Sequence, residues 1–174
     1  MTIGIALTLP DGVLLVADGR QTSPYSNGNS PENNLDKLVQ ISSTIYVIPF
    51  GIIQATDFSI LILRKSILEN SRPEQISSMC VSCVRAGWQY LLNNVLDDVN
   101  INDIRMRAAL IIGGITGDEL FITGTLVSSN IPPQPILYKN IPFQLFMLGG
   151  EDQQAFNLFN PRASVCIRNI PWDY

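Results

Sequence analysis

The chain predicts an α+β layered sandwich, and three observations lead there. Short apolar runs of strand length fill the first 50 residues, two amphipathic helical patterns follow one another between about 55 and 95, and strand runs return from 107 onward. Strands on both sides of a helical pair fit helices segregated onto the faces of sheets, not the regular strand-helix alternation of a doubly wound fold. At 174 residues with 46% hydrophobic content, the chain is read as one domain spanning 1–174.

The elements follow in order. Residues 2–8 are apolar and β-branched, Asp11-Gly12 after Pro10 signals a turn, and residues 13–17 form a second apolar run, so the chain opens with a hairpin. Asp18 then falls at the end of the second strand, on the side where the chain starts. Residues 22–34, rich in Ser, Asn, Pro and Gly without periodicity, read as an irregular loop. Strands are expected at 37–41 and 44–48. At Pro49-Phe50-Gly51 the pattern turns from strand to helix, and Phe58, Leu61, Ile62 and Ile67 recur at near-helical spacing over 55–69. Ser71-Arg72-Pro73-Glu74 matches a capping box with Pro in the first turn, and Ile76, Cys80, Val84, Trp88, Leu91 and Val95 predict one buried helical face. Four more strands are expected at 108–112, 120–125, 136–139 and 143–148, then a short helix at 151–159 and an irregular tail at 160–174 with an edge strand near 165–167.

Composition narrows the chemistry. The chain has no histidine, which closes imidazole-based triads, His-containing zinc sites and haem with a proximal His. Eleven basic against fifteen acidic residues give a net charge of −4, and without clustered cations nucleic acid is not expected as a partner. Charged residues make up 15%, which leaves little ionic surface and favours burial in a homo-oligomer. Three cysteines, at 80, 83 and 166, do not form a disulfide framework and suit a reducing compartment. The N-terminus lacks a basic n-region and no apolar run reaches a membrane span, so a cytoplasmic protein with no membrane partner is expected. No cofactor and no metal site is read from the sequence.

Without imidazole, a nucleophile must find another base. Removal of Met1 leaves Thr2 with its α-amine beside its hydroxyl, and an α-amine with a pKa near ~7.7–8.0 accepts that hydroxyl proton at neutral pH. Such a site also needs a cation and a carboxylate to hold it, roles for which Lys37 and Asp18 are the candidates. The backbone N–H of Gly51, at a strand-to-helix turn, is the candidate oxyanion donor. Taken singly, Thr2 is an ordinary strand residue, Asp18 a strand-end turn residue and Lys37 a solvated strand edge.

As an ordered set, these residues resemble the proteasome β-type peptidases, including the bacterial HslV-type enzymes, within the N-terminal nucleophile hydrolases. The resemblance is carried by Thr2-Ile3, by Val16-Ala17-Asp18-Gly19-Arg20, by Asn34 with Asp36-Lys37-Leu38, and by Gly51 ahead of Ala55-Thr56-Asp57-Phe58. It implies a four-layer α-β-β-α sandwich, here C-terminally shortened, with Thr2 as nucleophile, Asp18 and Lys37 as its support and Gly51 as oxyanion donor. It further implies a peptide or unfolded-protein substrate, assembly into a ring or stacked rings, and an ATP-dependent unfoldase as a candidate partner. The chain departs from the family pattern in a longer loop before Lys37, in Ile52-Ile53 where small residues are usual, and in lacking an equivalent of the family's C-terminal Asp and Ser.

Two functions of different classes therefore stand: a threonine peptidase, and a catalytically inactive ring or scaffold subunit. An amidase acting on a non-peptide amide through Thr2 is a weaker third. Arg20 is read as a structural partner for a carboxylate, and Cys80-Val81-Ser82-Cys83 as part of a packed helix face, not a redox motif. Gly113-Gly114 and Gly149-Gly150 are read as strand-ending turns or points of close approach.

Overall fold

The computed structural model describes residues 3–17, 20–21, 32–33, 37–68, 70–94, 107–128 and 132–149. The opening hairpin joins β1 (Ile3–Thr8) to β2 (Val13–Ala17) with Leu7 opposite Leu14 and Gly4 opposite Ala17. Two short segments, β3 (Arg20–Gln21) and β4 (Glu32–Asn33), pair as a ribbon. The expected irregular loop at 22–34 is thus corrected at its end: Glu32 and Asn33 are held by pairing with Gln21 and Arg20, a long-range contact that local composition does not encode.

A larger sheet follows. In order its strands are β5 (Val39–Gln40), β6 (Ile45–Gly51), β7 (Arg107–Thr116), β8 (Glu119–Ser128) and β9 (Ile136–Lys139), all antiparallel neighbours. The last described strand, β10 (Leu145–Gly149), leaves this sheet and pairs with β1, giving a second sheet of order β10-β1-β2. Gly113 and Gly114 lie inside β7 and not at its end, because the pairing with β8 continues past them to Thr116 opposite Glu119.

Successive side chains of a strand point to opposite faces, and here both faces of the larger sheet are covered. Val47, Leu110, Ile112 and Phe121 point to one side, Ile48, Phe50, Ile111 and Ile122 to the other. The first side carries α1 (Ile53–Ser66) and α2 (Pro73–Asn94). The second faces Ala6 of β1, Phe146 of β10 and the half-buried Val13, Leu15 and Ala17 of β2. Two-sided burial explains why β7 reads as a nearly continuous apolar run. The described layers are therefore helix, sheet and sheet. The second helical layer of a four-layer sandwich, the helix expected at 151–159 and the tail at 160–174 lie outside the described residues. Among the described residues no helix is long and apolar enough to cross a membrane.

Two helix details differ from expectation. The buried face of α1 is Ala55, Thr56, Ser59, Ile60 and Leu63, with Ser59 and the Ala55 carbonyl against Gly87 of α2, while Leu61 is half exposed. Thr56 and Ser59 can be buried there because their hydroxyls donate to carbonyls one turn back, Thr56 to Ile53 at 3.0 Å and Ser59 to Ala55 at 2.7 Å. Phe58 stacks instead on Tyr90 of α2, with ring centroids 4.3 Å apart. At the start of α2, the Arg72 N–H donates to Gln75 Oε1 at 2.8 Å and the Ile76 N–H donates to the Arg72 carbonyl at 3.0 Å. Arg72 is thus the cap, in place of Ser71, whose hydroxyl accepts from the Leu68 N–H at 2.9 Å. The buried face of α2, with Ile76, Cys80, Val84, Trp88 and Leu91, is the one its spacing predicts.

Candidate active site

Four elements converge at one end of the space between the sheets. Gly4, near the start of β1, lies so close to Phe50 that a Cβ there would overlap the Phe50 ring. Ala17, which ends β2, and Leu38, just ahead of β5, pack against the cluster to which Phe50 belongs. Phe50 is followed by Gly51, which closes β6, and Ile52 caps α1. The beginning of the chain, the end of its second strand, the residue after Lys37 and the strand-to-helix turn thus share one apolar cluster.

Gly51 is held in a conformation that its residue type makes accessible. Its φ is +88°, and a Cβ at this position would collide with the Arg107 carbonyl. That carbonyl accepts the Ile52 N–H at 3.0 Å, so the turn into α1 is pinned against the first residue of β7. Gly51 is exposed, as an accessible backbone donor must be. It therefore lies where the strand-to-helix switch in the sequence put it. Lys37 is half-buried and lies two residues ahead of β5, not within the strand expected at 37–41. Thr2 and Asp18 lie outside the described residues, as does the Arg20 side chain; the hairpin register, with Gly4 opposite Ala17, brings together the strand ends that lead to both sites.

The remaining titratable groups point away from catalysis. Cys80 and Cys83 are free, buried thiols; burial pushes Cys83 up to about 11 and Cys80 further, so neither offers a thiolate at neutral pH. Lys139 of β9 pairs with Glu74 at the start of α2 and, at 3.0 Å, with Glu119 of β8. Lys139 holds the Glu74 carboxyl below its usual range, and the trio ties the helix start to the sheet. Burial raises the Asp57 carboxyl. No group of three or more metal-ligating side chains occurs among the described residues. An open groove of about 670 Å³ between α1 and α2, lined in part by Ile62, Met79 and Cys83, shares no residue with the convergence at Gly51. The contact that sequence reasoning missed is Gly4 on Phe50, which joins residues far apart in the chain and leaves no local signal.

Helices on one face of an antiparallel sheet and a second sheet on the other make a fold similar to that of solved structures. Anbu from Pseudomonas aeruginosa, described as a helical assembly, superposes with a TM-score of 0.63 at 16% identity, covering 91% of this chain and 65% of that one. The chain has an Anbu-like fold. Anbu from Hyphomicrobium sp. strain MC1 gives 0.58 at 14% identity over 92% of this chain and 64% of that one. HslV from Trypanosoma brucei gives 0.51 at 15% identity over 92% of this chain and 78% of that one. The chain thus spans just under two thirds of the length of these Anbu chains. By sequence, no protein-family model and no curated protein matches.

Proposed function

We propose that the chain, read as one domain, is a proteasome-like threonine peptidase that works in the cytoplasm as a self-assembling oligomer. In this reading, removal of Met1 frees the Thr2 amine. The amine takes the hydroxyl proton as Thr2 Oγ attacks the scissile carbonyl, and returns it to the leaving amine. Lys37, held by Asp18, keeps the Thr2 amine neutral and stabilises the developing alkoxide. The Gly51 N–H receives the oxyanion, and water then hydrolyses the acyl-enzyme. The observation that carries the reading is Gly51, exposed at φ +88° at the strand-to-helix turn, next to the cluster into which the first strand packs. Self-assembly is supported by the low charge content of 15% and by the helical assembly described for Pseudomonas Anbu. Unfolded protein is the proposed substrate, with an ATP-dependent unfoldase as the candidate partner.

The test is an intact-mass measurement with a peptide-turnover assay. Loss of Met1 and abolition of turnover by Thr2→Ala are expected; processed protein whose turnover survives that substitution overturns the mechanism. A second reading, an inactive ring or scaffold subunit, is favoured by Ile52 and Ile53, since the partly exposed Ile53 follows the oxyanion turn where a substrate must lie. Retention of Met1 in assembled protein, with no turnover of a peptide library, would establish it.

A further inference from the structure

The outer face of α1 carries a pattern that starts beside the candidate site at Ile53 and runs away from it along the helix. Four of its exposed residues fall on one stripe at helical spacing, Ile53, Asp57, Leu61 and Lys65, with the exposed Gln54 and Arg64 beside it. Ile53 is 43% exposed and Leu61 50%, so the stripe is apolar at its start and at its centre. One acid and one base flank Leu61, each four residues from it. At a rise of about 1.5 Å per residue they lie about 6 Å along the axis on either side of it.

A stripe of this form is complementary to itself when reversed. We propose that α1 is a self-association surface on which a second copy of this chain seats its own α1 antiparallel, about a two-fold axis passing through Leu61. Leu61 then meets Leu61 of the partner subunit, Asp57 faces Lys65 of the partner subunit, and the same pair recurs on the other side of the axis. An isologous contact requires this reciprocity of residues.

The neighbouring charges agree with the assignment. Arg64 Nη2 donates to the Gln40 carbonyl at 3.0 Å, so that guanidinium is turned back onto β5 and Lys65 is the cation left on the stripe. Asp57 makes no ion pair among the described residues, and its carboxyl is raised by burial, a state that a cation from a second copy would relieve. The 14-residue helix offers a small area, well below the ~1,200 Å² that a stable isolated dimer buries, so the contact is weak alone and acts as one of several in an assembly.

The surface deepens the self-assembly reading and rests on it. Sedimentation velocity of the full chain over a concentration series tests both. Asp57→Lys and Lys65→Asp each turn two attractive pairs into two repulsive ones, and each is expected to weaken association about tenfold. An equimolar mixture of the two variants puts opposite charges together again and is expected to restore wild-type association, as is the double exchange in one chain. If either single variant loses its helical circular dichroism, Leu61→Gln carries the test, with weaker association expected. Association indifferent to the single exchanges, or a mixture no stronger than its components, overturns this surface while leaving self-assembly standing. A wild-type chain that stays monomeric throughout overturns both.

Discussion

The two faces of the larger sheet are packed by different means. On the helical face, Leu63, Ile76, Val84, Leu91, Leu110, Ile112 and Phe121 interlock with almost no exposure, and hydroxyls fill the gaps: Thr123 Oγ1 bridges Ser77 Oγ and the Ile136 carbonyl at 2.8 Å each, and Thr116 donates to the Ser71 carbonyl at 2.7 Å. On the face between the sheets the filling is leaner. Ala6 and Ala109 are small, Phe50 and Phe146 retain some exposure, and Gly4 has no side chain. Stability is concentrated on the first face, while the second trades side-chain volume for the close approach of backbone segments at the candidate site. Substitutions on the two sides should therefore differ in kind.

The largest effect is expected on the helical face. Phe121→Ala empties the centre of that core and should lower unfolding free energy by about 3–5 kcal/mol in urea titration. Gly51→Ala comes next, because any side chain at φ +88° is strained and this one meets the Arg107 carbonyl. A loss of about 2–3 kcal/mol is expected, with peptide turnover falling further than stability explains. Thr125→Val should act in the opposite direction. The Thr125 hydroxyl is buried and lacks a hydrogen-bond partner among the described residues, so the isosteric change should stabilise by about 1 kcal/mol, read as a rise in melting temperature. The smallest effect is Glu74→Gln. Because Lys139 holds the Glu74 carboxyl below its ordinary 4.5, the pair stabilises the fold above that pH and loses its contribution as pH falls through the lowered value. The melting-temperature difference between variant and wild type should be slight at pH 7, shrink with added salt and vanish in acid.

How much the sequence reveals follows the same division. Strands and the α2 face were legible because alternation and helical spacing are local: β2 and β9 begin and end where their patterns do. The buried face of α1 was not, because Thr56 and Ser59 satisfy their hydroxyls on their own helix and so go inside, leaving Leu61 out. Gly51 was legible from the switch of period around it. The position of Lys37 was read less well, since only pairing with β6 defines where β5 begins, and that pairing starts at Val39. The contact between Gly4 and Phe50 joins residues far apart in the chain, and no local pattern announces it.

The pairing of β1 with β10 has a temporal consequence. Ile3 lies opposite Gly149 and Leu7 opposite Leu145, so β1 waits during synthesis for a partner strand made about 140 residues later. The helical face can condense while synthesis continues, since α1, α2 and the β6–β8 ladder draw their contacts from the middle of the chain. The three-stranded sheet can only close after residue 149 has left the exit tunnel, and loop closure over that span is slow. The sheet that carries β1 thus closes after the helical face has formed.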